Sequence, residues 1–568
     1  MPGFRLKNPR AAVCAAAAFL SLAAFGTTLT QRAYVNDDAW IIGSSSLLDA
    51  GIKGLPTLMT TGYWESVDGS AARVHEYRPL LMLSYLAQRL TTGRAAPPMH
   101  AANLLLHMLA CWLVFAVFRR RLSPAAAAAG TLAFAVMPTH AEAVAALTGR
   151  SELLAAVLLL GAWLCLDESS SMPRLAAGTA LFSAALFTKE HSLLFPLFLA
   201  LADWTFAGAA PWSPGRRRVH AALLAAVAGY LIVRLALLKL PFGGGAPYFP
   251  DRLTAALTVS RFALLHYLWP SLSGFGLCTD YARPLIADAA PGAWLSWLPL
   301  LALAGLFAAG FWRLLARRAA WGFWLCGPVL FLLPTAHIVV PLDTIGAQRF
   351  LYLPSLGLAA GLGAAWAWLY AARPRAAGAA AIVLLAWQTG QCAAISAAWR
   401  SGISYYEAAI SCNPVSARAR AAYGTQLIVD GRAAAGQAQL AEAVRLAPNL
   451  GLSYYNLARY AWERGDTAST GRLIRDALAR DAGSGDAWIL ASLVAHAQGR
   501  DGDEENFLRR ALALTPWNPI ANLNLARFEL AHGRPGESIA HWRAFARYAP
   551  EDPDAPRAEE IARELQSR

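Results

Sequence analysis

Long apolar runs alternate with short polar segments through the first 400 residues. A run of about twenty apolar residues with few charges is typical of a helix that crosses a bilayer. A further stretch, 254–272, is only moderately apolar and predicts an interfacial or re-entrant helix. The runs interpreted as eleven transmembrane helices lie at about 11–30, 98–118, 124–147, 152–166, 174–187, 191–207, 219–240, 292–312, 319–335, 351–371 and 376–397.

Basic residues in the connections between these runs predict how the chain is oriented in the membrane. With the N-terminus in the cytoplasm, as an uncleaved anchor, every cytoplasmic connection carries arginine, as the positive-inside rule expects. An odd number of spans then places the C-terminus outside. The first outer loop, 31–97, is long. The cytoplasmic basic residues are Arg5, Lys7, Arg10, Arg119–Arg121, Arg174, Arg216–Arg218, Arg313, Arg317, Arg318, Arg373 and Arg375.

The last third of the chain repeats with a period of 34 residues. A period of 34 with glycine at the turn between helices and proline at the repeat end is the tetratricopeptide signature. It predicts about four repeats over roughly 404–550 and a polar capping helix, and such stacked repeats leave a concave groove. The recurring positions are Pro414, Pro448, Pro516 and Pro550, then Gly431, Gly465, Gly499 and Gly533, then Gly424, Ala458, Ser492 and Ala526.

Composition agrees with a membrane protein. The chain is 57% hydrophobic and 15% charged, whereas soluble domains are about half apolar and about a quarter charged. The net charge of +13 lies largely in the connections, where it sets topology, so we expect no nucleic-acid partner. The predicted fold is all-α: a polytopic membrane domain over 1–400, followed by a tetratricopeptide α-solenoid over 404–568.

Five cations lie at the outer boundaries of the predicted spans, where the positive-inside rule predicts few basic residues. Each can be explained alone as a side chain that snorkels to the interface. Five on one side, accompanied by carboxylates, favour a site for an anionic ligand at the membrane surface, such as a lipid-linked phosphate. These cations are Arg78, Arg150, Lys189, Arg283 and Arg349.

Carboxylates near these cations are candidate catalytic groups. Asp37 and Asp38 follow the first span; Asn36 or Asp37 could cap the helix that begins near Ala39, which leaves a second carboxylate as a candidate general base. Glu142 has an alternative explanation, because 139–142 fits a capping box.

Histidines on the outer side are candidate hydrogen-bonding groups. His140 and Glu142 are two positions apart on a helix and do not face each other, which disfavours a zinc pair. His75, His191 and His337 are explained either as polar fillers or as substrate contacts. No His/Cys cluster has zinc spacing. Because the side-chain cations can neutralise a phosphate, we expect no metal requirement.

The order of several motifs resembles the transmembrane-and-tetratricopeptide-repeat O-mannosyltransferases, a family of the GT-C class. The motifs are NDDAWI, YRPLLMLSY, HAANLLLHM, AFAVMPTHAEAVAALTGRSELLA, LFTKEHSLLFPL, FLLPTAH and QRFLYLPSLG. The resemblance implies transfer of a sugar, mannose in this family, from a polyprenyl-phosphate donor to a Ser/Thr hydroxyl of an exported protein, with inversion at the anomeric carbon. The concave groove of the stacked repeats separately predicts that the array holds or presents the polypeptide acceptor.

The resemblance assigns roles to particular residues. It implies catalysis by Asp38, Asp37 and Glu142. It implies donor-phosphate binding by Arg78, Arg150, Lys189 and Arg349. Candidate substrate contacts are Glu190, His140, His191 and Tyr77.

One position departs from the family pattern. Relatives commonly have glutamate before the arginine of the last motif, whereas this chain has Gln348, so no catalytic carboxylate is assigned there and the need for one is open. Two rival functions also remain: an envelope glycan ligase or polymerase, and a non-enzymatic membrane scaffold whose repeats recruit partners. The composition suggests a bacterial inner-membrane protein with periplasmic repeats.

Overall fold

The computed structural model describes residues 9–64, 76–167, 171–207, 213–242, 249–281, 285, 287–337 and 345–567. Within these ranges every regular element is a helix, which confirms the all-α prediction. The chain forms two compact units. The membrane unit comprises Met1–Arg32, Ala95–Lys239 and Gly245–Arg400, and the repeat unit comprises Ala33–Arg94, Leu240–Gly244 and Ser401–Arg568.

The α-helices are numbered in chain order, and short 3₁₀ and π turns connect several of them. Up to the end of the last long apolar helix they are α1 (Pro9–Phe25), α2 (Ser46–Asp49), α3 (Leu55–Thr60), α4 (Pro79–Thr92), α5 (Ala96–Arg121), α6 (Pro124–Ala135), α7 (Ala141–Ala145), α8 (Arg150–Leu166), α9 (Met172–Leu186), α10 (Phe195–Ala202), α11 (Pro214–Leu231), α12 (Arg252–Phe262), α13 (Trp269–Ser273), α14 (Trp297–Arg317), α15 (Ala320–Cys326), α16 (Ser355–Ala372) and α17 (Pro374–Ala398). The remainder are α18 (Gly402–Cys412), α19 (Ala417–Val429), α20 (Ala433–Leu446), α21 (Gly451–Glu463), α22 (Thr467–Arg480), α23 (Gly485–Ala497), α24 (Asp501–Leu514), α25 (Pro519–Ala531), α26 (Pro535–Tyr548) and α27 (Ala555–Gln566).

Six helices among the described residues are long and apolar enough to cross a membrane, and a seventh span results if α7 and α8, bent by 107°, count as one broken span. Their outward faces suit lipid: Leu301 and Ile382 are 59% and 72% exposed, and an apolar surface of this kind is stable only against hydrocarbon. The chain is a multi-pass membrane protein. The other predicted runs are helical but shorter or interrupted, so the count of eleven spans stays a prediction.

Close packing of α6 against α16 depends on two glycines. A Cβ added to Gly363 would lie 2.3 Å from the carbonyl oxygen of Ala126, and one added to Gly130 would lie 2.7 Å from that of Ala359. Without Cβ atoms the two backbones come into contact, the arrangement that small residues permit between membrane helices.

We expect Gly363→Ala to lower the thermal unfolding temperature of the detergent-solubilised protein, because overpacking costs about 1–3 kcal/mol. Gly361, on the same helix, is the matched control: a Cβ there would meet no atom within 4 Å. Differential scanning fluorimetry of the two variants measures the effect. Equal unfolding temperatures would show that α6 and α16 separate without cost.

The repeat unit contains the predicted helix pairs. Four pairs, α19/α20, α21/α22, α23/α24 and α25/α26, precede the single helix α27. The glycine after the first helix of each pair adopts a positive φ, between +63° and +79°, which glycine alone adopts without strain. Within the first pair, Gly424 and Gly436 bring the backbones together, because a Cβ on Gly424 would lie 2.7 Å from the Gly436 carbonyl oxygen.

The first outer loop is part of the repeat unit. Asp49 of α2 lies 2.6 Å from an Arg94 guanidinium nitrogen, and another nitrogen of Arg94 lies 3.0 Å from Glu551, which follows α26. The hydroxyl of Tyr34 donates to the Arg94 carbonyl oxygen at 3.0 Å. Chain order predicts that this loop belongs to the membrane domain, whereas these contacts join it to the end of the repeats.

Candidate functional site

The acidic pair lies at the start of a short π-helical turn in the repeat unit, Ala39–Gly43. Asp38 occupies the N-cap position and is buried, at 2% exposure, but its side chain makes no capping hydrogen bond. The amide of Ala39 instead donates to the carbonyl oxygen of Asn36 at 3.1 Å. The Asp38 carboxylate is therefore not the cap of this turn.

A buried tyrosine, Tyr63, lies beside Arg78 and within electrostatic reach of Asp37. The guanidinium carbon of Arg78 lies 5.1 Å from the centroid of the Tyr63 ring. Burial raises the pKa of Tyr63 well above its ordinary value, and the charges of Arg78, Asp37 and Glu76 also act on it. Asp37 and Arg78, 41 positions apart in the chain, thus lie within electrostatic reach of one side chain.

Two residues beside Arg78 complete this part of the repeat unit. Glu76 lies 2.9 Å from an Arg78 guanidinium nitrogen and accepts a hydrogen bond from Trp64 at 3.1 Å. The hydroxyl of Tyr77, a predicted substrate contact, donates to the Met59 carbonyl oxygen at 2.8 Å. That bond holds Tyr77 against α3.

In the membrane unit, both carboxylate oxygens of Glu142 accept hydrogen bonds from Arg349. The backbone N–H of Arg349 donates to Glu142 Oε2 at 3.1 Å, and its guanidinium donates to Oε1. The capping-box prediction for Glu142 is wrong, because α7 has no side-chain capping bond. Thr139, the other residue of that box, instead shares a hydrogen bond with Ser271 at 3.2 Å.

A second ion pair is more deeply buried. Lys189 Nζ lies 2.8 Å from Glu152 Oε1, and the two side chains are 7% and 2% exposed. His191 Nδ1 lies 3.6 Å from the other oxygen of Glu152, and Lys189 also donates to Ser151 at 3.4 Å. Glu152 is not among the residues predicted from the sequence, although a carboxylate at the start of an apolar run is itself a signal of function.

Phe350 connects the two ion pairs. Lys189 Nζ and the guanidinium carbon of Arg349 each lie 5.5 Å from the centroid of its ring. Two cations therefore flank one aromatic ring, each with its own carboxylate. An ammonium and a guanidinium so placed can receive a bound or developing phosphate charge in exchange for part of their contact with the carboxylates.

Other predicted site residues are engaged within the membrane unit. Arg150 is 2% exposed and donates to Asn103 Oδ1 at 2.9 Å and to the Met99 carbonyl oxygen at 3.1 Å, which joins α8 to α5. His140 Nε2 shares a hydrogen bond with Ser355 at 2.8 Å. Phosphate binding by Arg150 stays a prediction, since its guanidinium already serves helix packing.

Glu190 has a partner that the sequence analysis did not assign to the site. Its Oε1 lies 3.5 Å from the buried guanidinium of Arg234, and a charge in the middle of an apolar run could have indicated this residue. The predicted cation Arg283 and the outer His75 lie outside the described residues. Among the residues that the structure describes, no three or more His, Cys, Asp and Glu side chains are grouped as metal ligands.

Comparisons with known proteins place these observations in a family context. No protein-family model matches the chain. It is 32% identical over 195 residues to protein O-mannosyl-transferase Tmtc1 of Drosophila melanogaster, covering 34% of this chain and 22% of the relative. It is 26% identical over 478 residues to protein O-mannosyl-transferase TMTC4 of Mus musculus, covering 73% and 63%. Among solved structures, ArnT from Cupriavidus metallidurans bound to undecaprenyl phosphate matches at 15% identity, with a TM-score of 0.37 and coverage of 88% of this chain and 80% of that one.

The fold and the sequence matches define the class: a multi-pass membrane protein that carries a tetratricopeptide solenoid. Within that class, the chain is similar to the O-mannosyltransferases with transmembrane helices and tetratricopeptide repeats, which confirms the resemblance inferred from its motifs. The chain spans less than two thirds of the length of these curated relatives.

Proposed function

We propose that the protein is a membrane glycosyltransferase that moves a sugar from a polyprenyl-phosphate carrier to a Ser or Thr hydroxyl. By family resemblance the sugar is mannose and the acceptor an exported polypeptide. The observation that carries this proposal is the pair of cations, Lys189 and Arg349, that flank Phe350 together with Glu152 and Glu142. A buried set of this kind suits a ligand whose phosphate gains charge during the reaction.

In the proposed reaction the acceptor hydroxyl oxygen forms a bond to the anomeric carbon as the bond from that carbon to the phosphate oxygen breaks. The hydroxyl proton passes to a carboxylate, for which the family resemblance offers Asp38 or Asp37, and the polyprenyl phosphate leaves with the electron pair of the broken bond. Lys189 and Arg349 stabilise the charge on that phosphate. Attack opposite the leaving group inverts the anomeric configuration.

The roles of the carboxylate and of the two cations follow from the chemistry of their side chains. A carboxylate can accept the proton, and a proton acceptor in position contributes about 10²–10⁴-fold to the rate. The cations contribute electrostatic stabilisation, on the order of 3–4 kcal/mol for one well-placed donor. Because side-chain cations supply the positive charge, we propose that the reaction needs no divalent metal.

The repeat unit is proposed to hold the acceptor. Stacked tetratricopeptide repeats form an extended surface that suits an unfolded segment of polypeptide. In this proposal the repeats lie on the outer side of a bacterial inner membrane, together with the loop that carries the acidic pair.

Purified protein in lipid nanodiscs, given a labelled polyprenyl-phosphate mannose and a mixture of Ser/Thr peptides, is expected to produce glycosylated peptides detectable by mass spectrometry. Addition of EDTA should leave the rate unchanged. Transfer to a glycan acceptor but to no peptide would favour the ligase function instead. Failure to consume several polyprenyl-phosphate sugars, with any acceptor, would contradict the proposal.

A further inference from the structure

The segment before Arg349 is held at successive residues by groups from other elements. The N–H of Ala347 donates to the hydroxyl of Tyr267 at 3.1 Å. A Cβ on Gly346 would lie 2.4 Å from that hydroxyl oxygen and 2.6 Å from the ring of Phe262. The chain can approach Tyr267 this closely only because residue 346 is glycine.

Gln348 makes the next contact with its side chain. It is 1% exposed, and its amide nitrogen donates to the carbonyl oxygen of Cys278 at 2.7 Å and to the hydroxyl oxygen of Tyr281 at 3.2 Å. The following residue, Arg349, donates its own N–H to Glu142 at 3.1 Å. Three consecutive residues are thus anchored, and the guanidinium of Arg349 is delivered to Glu142.

The backbone carbonyl oxygen of Cys278 requires a hydrogen-bond donor at residue 348. A backbone carbonyl oxygen can only accept hydrogen bonds, and the neutral amide of Gln348 supplies an N–H at every pH. A carboxyl group of the same shape can donate only while it is protonated. Ionised, it would oppose the Cys278 carbonyl oxygen in a buried place, and an unsatisfied or repelled buried group costs about 1–3 kcal/mol.

We propose that Gln348 is a positioning residue whose uncharged amide anchors the 346–349 segment so that Arg349 meets Glu142. This assignment deepens the proposed function, on which its activity readout rests, and it also accounts for the absence of a catalytic carboxylate at this position. Gln348 itself does not take part in proton transfer.

The test compares Gln348→Glu with Gln348→Met, which keeps the length but removes the donor. The titratable and charged groups around the substituted side chain are the hydroxyls of Tyr281 and Tyr267, His266, Asp280, Glu142 and its partner Arg349. The ring centroid of His266 lies 6.1 Å from that of Tyr281, and Gln348→Met, which has the same neighbours, controls for their titration. Burial, the carbonyl oxygen and the charge of Glu142 raise the pKa of the new carboxyl above the ordinary value of about 4.3, while Arg349 opposes that shift.

The sign of the pH dependence follows from this raised pKa. The folded protein favours the protonated carboxyl, so the variant is most stable at low pH and loses stability as pH rises from the unfolded pKa towards the folded one. In detergent, the unfolding temperature of Gln348→Glu should lie several degrees below wild type at about pH 8 and approach it at about pH 5. Gln348→Met should show a deficit that does not change between these pH values.

Transfer assays give a second readout. The turnover number of Gln348→Glu, divided by that of wild type at the same pH, should rise at least about tenfold from about pH 8 to about pH 5, which corresponds to the loss of one hydrogen bond to a buried group. Gln348→Met should give a constant ratio.

The two readouts keep this inference separate from the proposed function. If wild type transfers no sugar, the proposed function fails, while the unfolding temperatures still decide whether Gln348 anchors the segment. The inference is overturned if Gln348→Glu and Gln348→Met have the same pH profile of unfolding temperature. It is also overturned if wild type is active and the turnover number of Gln348→Glu is the same fraction of the wild-type value at about pH 5 and at about pH 8. Tyr281→Phe, which removes one of the two acceptors, should lower the unfolding temperature at both pH values.

Discussion

Asp38→Asn is expected to reduce the turnover number for sugar transfer by about 100-fold or more, because asparagine has the shape of aspartate but cannot accept the acceptor's proton. The Asp38 side chain does not cap the turn at Ala39–Gly43, and the unfolding temperature of the variant, measured on the same preparation, separates a loss of rate from a loss of fold. The Michaelis constant for the donor lipid should change little. Steady-state rates with labelled donor and saturating peptide measure both quantities.

The neighbouring carboxylate is the matched control. Asp37 is half-buried rather than buried and lies within electrostatic reach of Tyr63, so Asp37→Asn should reduce the rate less than Asp38→Asn. If the double variant Asp37→Asn/Asp38→Asn retained the wild-type rate, neither carboxylate would be the base. A larger loss for Asp37→Asn would exchange the roles of the two residues.

Lys189→Met is expected to reduce both stability and transfer, for separate reasons. Its partner Glu152 is 2% exposed, and removal of one member of a buried ion pair costs about 3–5 kcal/mol, because the other charge is left without compensation. Removal of the cation also takes away stabilisation of the leaving phosphate, which corresponds to about a 100-fold loss of rate. Fluorimetry and initial rates record the two effects on the same preparation.

Comparison of Lys189→Met with a double variant separates the effect on stability from the effect on transfer. Glu152→Gln/Lys189→Met removes both charges, so its unfolding temperature should exceed that of Lys189→Met. Its transfer rate should remain as low as that of the single variant. Recovery of transfer together with stability would show that Lys189 serves only the fold, and then Arg349 alone would be left to stabilise the phosphate.

Several candidate site residues carry local signals in the sequence. Lys189 and Arg349 are charged residues at the ends of apolar runs, and Glu142 lies inside one. A charge placed near lipid costs free energy, which makes each of them a functional candidate. The structure places Lys189 and Arg349 around one ring, as the idea of a common anionic site requires. Phosphate binding itself, and the catalytic role of the acidic pair, stay predictions.

The partners of these residues could not be predicted. Glu142 and Arg349 are 207 positions apart, and no sequence spacing relates them. The capping box at 139–142 fits the local rule, but Glu142 instead accepts one hydrogen bond from the backbone N–H of Arg349 and a charge-assisted one from its guanidinium, and charge-assisted bonds are the stronger ones. Tertiary contact therefore overrode the local motif.

By itself, the sequence determined the helices and the repeats of this protein, since apolar runs and a period of 34 are local properties that each segment carries along its own length. Only the tertiary structure decided which charges neutralise each other and that the first outer loop packs with the end of the repeats. The physical reason is that ion pairs and buried hydrogen bonds depend on distances between segments remote in the chain, and folding alone sets those distances.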